Sequence, residues 1–178
     1  MGIQASTVAS VPPVSYVKQD TTTSGNWVGT YGGQGHDIEG TPASLPSYAS
    51  IGLSGVTTYT CSSSTTDTRA LESPGGGSTR SSTQWYGNQS FTIDVNLTDG
   101  QSHLLSIYAL DWDYTGRVEQ FQVIDPTTGS VLDTRTISSF GTGVYLQWVV
   151  TGHVQIVVTD ISGSNAEISG IFLDAPPA

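Results

Sequence analysis

Apolar and polar residues alternate with a period of two along much of this chain, as strands with one buried face require. Between 91 and 97, Phe91, Ile93, Val95 and Leu97 hold one parity and Thr92, Asp94 and Asn96 the other. Asp99-Gly100 follows as turn chemistry. The run 103–110 is apolar on both parities, which predicts a strand covered on both faces. Residues 118–124 and 130–137 flank Asp125-Pro126-Thr127-Thr128-Gly129, a turn signal, and predict a hairpin. Further strands are predicted at 145–150, 153–159 and 166–173. Another hairpin is predicted from 48–53 and 57–61 around Ser54-Gly55, and a short first strand at 27–31. No window supports a helix longer than two turns. Roughly nine or ten short strands with frequent turns predict an all-β fold, a two-sheet antiparallel β-sandwich of jelly-roll type.

Composition agrees. Serine, threonine and glycine fill 69 of the 178 positions, which suits pleated surfaces and turns and excludes a helical bundle. Two prolines among small polar residues make 1–14 an expected linker or tail, and Ala175-Pro176-Pro177-Ala178 a second linker. The sandwich is expected over 15–174, with 73–79 as a glycine-rich loop tip.

Charge narrows the partners. Five Lys and Arg stand against 15 Asp and Glu, a net charge of −10, so the clustered cations of a nucleic-acid site are missing. An anionic membrane surface is disfavoured for the same reason, and no apolar stretch is long enough for membrane insertion. The first residues lack the cationic and apolar regions of a signal peptide. Cys61 is the only cysteine, which excludes an internal disulfide.

Nucleophile elbows, HExxH helices, phosphate loops and dinucleotide fingerprints are absent. Asp111 and Asp113 sit two apart and precede Gly116, oxygen ligands that resemble the start of a calcium loop. Gln122 stands where such a loop needs its bidentate acid. In the competing reading Asp113 accepts turn amides while Asp111 pairs with Arg117. The aromatics carry more. Trp85 and Tyr86 lie beside the glycine-rich loop, and Trp112 and Tyr114 flank Asp113. Such rings stack on the apolar face of a sugar, and Asp113, Arg69 and Asn88 are the expected polar partners. The alternatives are that Trp27, Trp112 and Trp148 plug the ends of the sandwich, and that Arg69 forms a structural ion pair with Asp67.

The run Gly25-Asn26-Trp27-Val28-Gly29-Thr30-Tyr31-Gly32 with Gly35, then Thr66-Asp67-x-Arg69-Ala70-Leu71, 90–100 and Ala109-Leu110-Asp111-Trp112-Asp113, resembles an accessory β-sandwich module of secreted bacterial polysaccharide-processing proteins. It is similar to the carbohydrate-binding modules of glycoside hydrolases and lyases, over 16–174. The resemblance implies non-catalytic polysaccharide binding that tethers a linked catalytic or surface domain, a secreted or bacterial cell-surface location, and a structural Ca2+. A structural spacer or adhesion module, and a small jelly-roll hydrolase or lyase, remain as alternatives.

Overall fold

Residues 13–178 are described by a computed structural model. The predicted N-terminal linker lies outside the described residues up to position 12, and Val14 already belongs to a strand. The strands are β1 (Val14–Asp20), β2 (Gly35–Ile38), β3 (Ala49–Ser54), β4 (Thr57–Thr65), β5 (Leu71–Glu72), β6 (Arg80–Gly87) and β7 (Ser90–Leu97). They continue with β8 (Ser102–Ala109), β9 (Val118–Ile124), β10 (Val131–Ser138), β11 (Val144–Thr151), β12 (His153–Ser162), β13 (Ala166–Ile168) and β14 (Gly170–Asp174).

Two five-stranded antiparallel sheets form the sandwich, in the orders β1-β11-β8-β14-β2 and β10-β9-β12-β7-β3. The inward parity of β7 (Phe91, Ile93, Val95) meets that of β8 (Leu105, Ile107) and β11 (Leu146, Trp148), all buried in one core. Burying the inner face of both sheets is the main stabilising contribution, at roughly 25 cal/mol per Å² of apolar surface. The first sheet is covered outside as well. Trp27, Tyr31, Leu71, Tyr108, Tyr145 and Phe172 form a second, aromatic core there, which is why 103–110 is apolar on both parities.

A third, smaller sheet, β13-β6-β4 with β5 beside β6, sits where the chain passes from β12 in one main sheet to β14 in the other. It accounts for three departures from the sequence pattern. The segments 48–53 and 57–61 are strands but not a hairpin: β3 pairs with β7 and β4 with β6. The chain changes sheet at Gly55, and its partner changes sheet at Gly87. A Cβ on Gly87 would lie 2.7 Å from the Ser90 carbonyl oxygen and 3.1 Å from that of Gly55, so the two corners meet through bare backbone. The predicted strand 166–173 is split at Ser169 between β13 and β14 for the same reason. And β6, which carries Trp85 and Tyr86, is a strand where the sequence pattern predicted none.

The predicted strand at 27–31 is instead a helical turn. The Trp27 carbonyl accepts from the Thr30 and Tyr31 N–H groups at 2.9 and 2.8 Å, and both rings turn into the outer core. Trp148 is fully buried, and its indole N–H donates to Asp133 at 2.7 Å.

Candidate functional site

On the outer face of the small sheet lies a cleft of about 370 Å³. The pleat selects its residues, because side chains on one strand alternate between faces and directly opposed residues share one. Tyr59 on β4 opposes Gln84 on β6, and Tyr86 on β6 opposes Glu167 on β13. Tyr59, Gln84 and Tyr86 therefore line one wall, while Trp85, of opposite parity, packs against the sandwich core. Tyr59 is 57% exposed.

The facing wall comes from two loops. The β8–β9 loop contributes Asp113 and Thr115, with Arg117 at its end, and the β12–β13 loop contributes Ser164 and Asn165. Arg117, only 6% exposed, ties the two loops together. Its Nη1 donates to Asp111 Oδ1 at 2.6 Å and to Thr115 Oγ1 at 2.8 Å, and its Nε donates to Asn165 Oδ1 at 3.1 Å. With Oδ1 so occupied, the Asn165 amide presents N–H donors. Asp113 is exposed, and its carboxylate accepts no hydrogen bond among the described residues.

Beneath the cleft are buried acids. Glu167 Oε1 stands 3.4 Å from Arg117 Nη1, an ion-pair distance, but neither carboxylate oxygen has a hydrogen-bond donor. Burial pushes the Glu167 carboxyl up to about 7; Arg117 opposes this, and Asp111 and Asp113 add to it. Glu119 is raised well above the ordinary carboxylate range, first by burial and then by the charges of Glu167 and Asp160. Its Oε1 accepts the Glu167 N–H at 2.8 Å. Cys61 shares this face, with its sulfur 3.5 Å from Gln84 Oε1, and burial raises its thiol.

The predicted site residues are distributed among several places. Tyr86 and Asp113 line the cleft. Trp112, Tyr114 and Arg69 meet on the other side of the same β8–β9 loop: the guanidinium carbon lies 4.5 Å from the Trp112 ring centre and 4.8 Å from that of Tyr114. Asp67 holds Arg69 at 2.8 Å, and Arg69 Nη1 donates to the carbonyls of Trp112 and Gly141 at 3.2 and 3.0 Å. Arg69 is thus the structural ion pair, with its donors spent on the protein. Tyr114, 63% exposed, packs over Gly141, where a Cβ would overlap its ring, and lines a second depression of about 350 Å³. Asn88 sits exposed on the β6–β7 turn and lines neither depression.

The Asp111 carboxylate is saturated by its own chain. It accepts from the Thr115, Gly116 and Arg117 N–H groups at 3.1, 2.9 and 3.3 Å, besides the Arg117 side chain. Burial raises its carboxyl, and these donors outweigh burial and hold it below the usual range. Asp111, not Asp113, is the acceptor of the turn amides. Among the described residues no group of three or more His, Cys, Asp or Glu side chains is placed to hold a metal ion.

Sequence reasoning missed Tyr59, Gln84, Asn165 and Ser164. One signal was present: Tyr59 is an isolated ring in the largely polar run Thr57-Thr58-Tyr59-Thr60-Cys61-Ser62, where Cys61 is the one other apolar residue.

No family model matches the chain, and no curated protein matches it. Solved structures do. A family 35 carbohydrate-binding module from Clostridium thermocellum is similar at TM-score 0.42 and 12% identity, over 71% of this chain and 92% of that one. TmCBM61, in complex with β-1,4-galactotriose, is similar at TM-score 0.32 and 10% identity, over 72% and 85%. A third structure, of carbohydrate-binding modules from the β-sandwich superfamily, is similar at TM-score 0.31 and 11% identity, over 72% and 55%.

Proposed function

We propose that this chain is a non-catalytic polysaccharide-binding module and that the cleft between Tyr59 and Asn165 is its saccharide site. A single observation carries the reading: an exposed phenol stands on one wall of a concave site whose other groups are amides, hydroxyls, a carboxylate and the Arg117 guanidinium, itself tied to the protein's own acids. Tyr59 and Tyr86 offer ring faces to the C–H face of a pyranose, and Gln84, Asn165 and Asp113 hydrogen-bond its hydroxyls. Two carboxyls flanking a glycosidic bond would be needed for hydrolysis. Asp113 reaches the cleft, but Glu167 is 0% exposed and sealed beneath it. Held to a linked catalytic or surface domain of a secreted or cell-surface bacterial protein, such a site raises the substrate concentration that the partner domain meets.

Affinity electrophoresis against a polysaccharide panel tests this. Retardation by at least one polymer, weakened about tenfold or more by Tyr59→Ala and by Tyr86→Ala, is the expected result. Unchanged mobility on every gel would leave a structural spacer or adhesion module. Reducing-end release or unsaturated product from a panel polymer would make it an enzyme.

A further inference from the structure

We infer that the ligand of this cleft is an uncharged glycan, carrying hydroxyls and no carboxylate, sulfate or amine; this rests on the saccharide-binding reading above. Uronates and sulfated sugars are held most strongly where a free cation faces them, above all an arginine whose fork meets the acid. Here every arginine already has a carboxylate. Arg69 pairs with Asp67 at 2.8 Å, Arg80 with Glu72 at 3.3 Å, and Arg135 with Asp133 at 2.8 Å. Arg117, the one cation on the cleft among the described residues, is held between Asp111 at 2.6 Å and Glu167 at 3.4 Å, with further donors spent on Thr115 and Asn165. Turning it toward a sugar acid would strand two buried carboxylates and release both loops that form the wall. Lys18, the remaining cation, is on β1 and does not line the cleft.

The local field points the same way. Asp113 adds an uncompensated negative charge at the cleft, and the whole chain carries −10, so an anionic polymer is repelled at long and short range. A cationic amino sugar is drawn by the same field at long range, but the cleft offers it no buried acid as a partner. Asp113 is solvated, and a solvent-exposed ion pair contributes little. The other acids, Glu167 and Glu119, are buried out of a ligand's reach. What remains are neutral groups, the Gln84 and Asn165 amides and the Ser164 and Tyr86 hydroxyls, which match sugar hydroxyls in polarity.

The test is the affinity gel run on three classes of polymer: neutral (galactan, arabinoxylan, glucomannan, mixed-linkage glucan), anionic (polygalacturonate, alginate) and cationic (chitosan). Each is run at about 20 mM and about 500 mM NaCl, where screening lengths differ several-fold. The expected result is retention by a neutral polymer, with affinity changing less than about twofold between the two salts. That retention should be lost in Tyr59→Ala, whose unchanged melting curve shows the variant is folded. Retention by polygalacturonate, alginate or chitosan that needs Tyr59 and falls about tenfold with salt overturns the inference while leaving saccharide binding intact. Neutral retention that survives both Tyr59→Ala and Tyr86→Ala overturns the assignment to this cleft. No retention by any polymer overturns the inference together with the function it rests on.

Discussion

Trp85 and Tyr86 are neighbours on β6 yet face opposite sides of their sheet, the indole packed against the sandwich core and the phenol lining the cleft. Stability and binding are therefore separable at adjacent positions. Trp85→Ala should lower unfolding free energy by about 2–4 kcal/mol, the range for a large side chain removed from a core, and leave glycan affinity of the folded protein within about twofold. Tyr86→Ala should do the reverse, changing stability by less than about 1 kcal/mol and weakening retention about tenfold. Denaturant melts paired with affinity gels check both.

Glu167 makes stability depend on pH in an unusual direction. Its folded carboxyl is pushed up to about 7, first by burial, against about 4.3 in an unfolded chain. Between these values the folded state binds the extra proton, so stability is highest at the acid end of the window and falls as pH rises toward about 7. Acidifying from pH 8 to about 5 should raise the melting temperature, with roughly 2–4 kcal/mol at stake. Glu167→Gln should reduce that slope, leaving the part that the likewise raised Glu119 contributes, and be more stable than the parent at pH 8. Below this window Asp111 and Asp133, whose carboxyls are held low in the fold, lose their contribution as they protonate, so stability falls again.

Arg69 joins three segments that are far apart in sequence: Asp67, the β8–β9 loop through Trp112, and the β10–β11 loop through Gly141. Arg69→Ala should cost about 1–3 kcal/mol, through lost charge-assisted hydrogen bonds and the ring contacts. Arg69→Lys should restore only part, since an ammonium cannot stack between the two rings and hold both carbonyls at once. The measurement is urea unfolding, with Tyr114→Ala as the control that removes one ring and leaves the ion pair.

Asp111 has no lone pairs to spare for a cation once its turn amides and Arg117 are counted. Any shift of the melting midpoint between millimolar calcium and a chelator should therefore be the same in Asp111→Asn as in the parent, since only a ligand bound to the folded state shifts it and none is held at Asp111. Asp111→Asn should still destabilise by about 2–4 kcal/mol, because Arg117 is then buried without its closest partner.

Local pattern alone determined much of the architecture. The alternation at 91–97, the doubly apolar run at 103–110 and the Asp125–Gly129 turn between β9 and β10 are all where the sequence places them, because side-chain parity and turn chemistry are properties of a few consecutive residues. The charge balance was equally legible, and it argued against nucleic acid and an anionic membrane surface as partners. What only the tertiary structure decided was which rings face water and which cations are free. Trp27 and Tyr31 were drawn inward because a covering layer formed over the first sheet. Tyr59 came to line the cleft because β4 left its neighbour β3 to pair with β6. Arg117 was paired by carboxylates from two segments distant in sequence, Asp111 on the β8–β9 loop and Glu167 on β13. Parity says that two residues point apart, but which of the two sides is solvent depends on what long-range pairing brings against it.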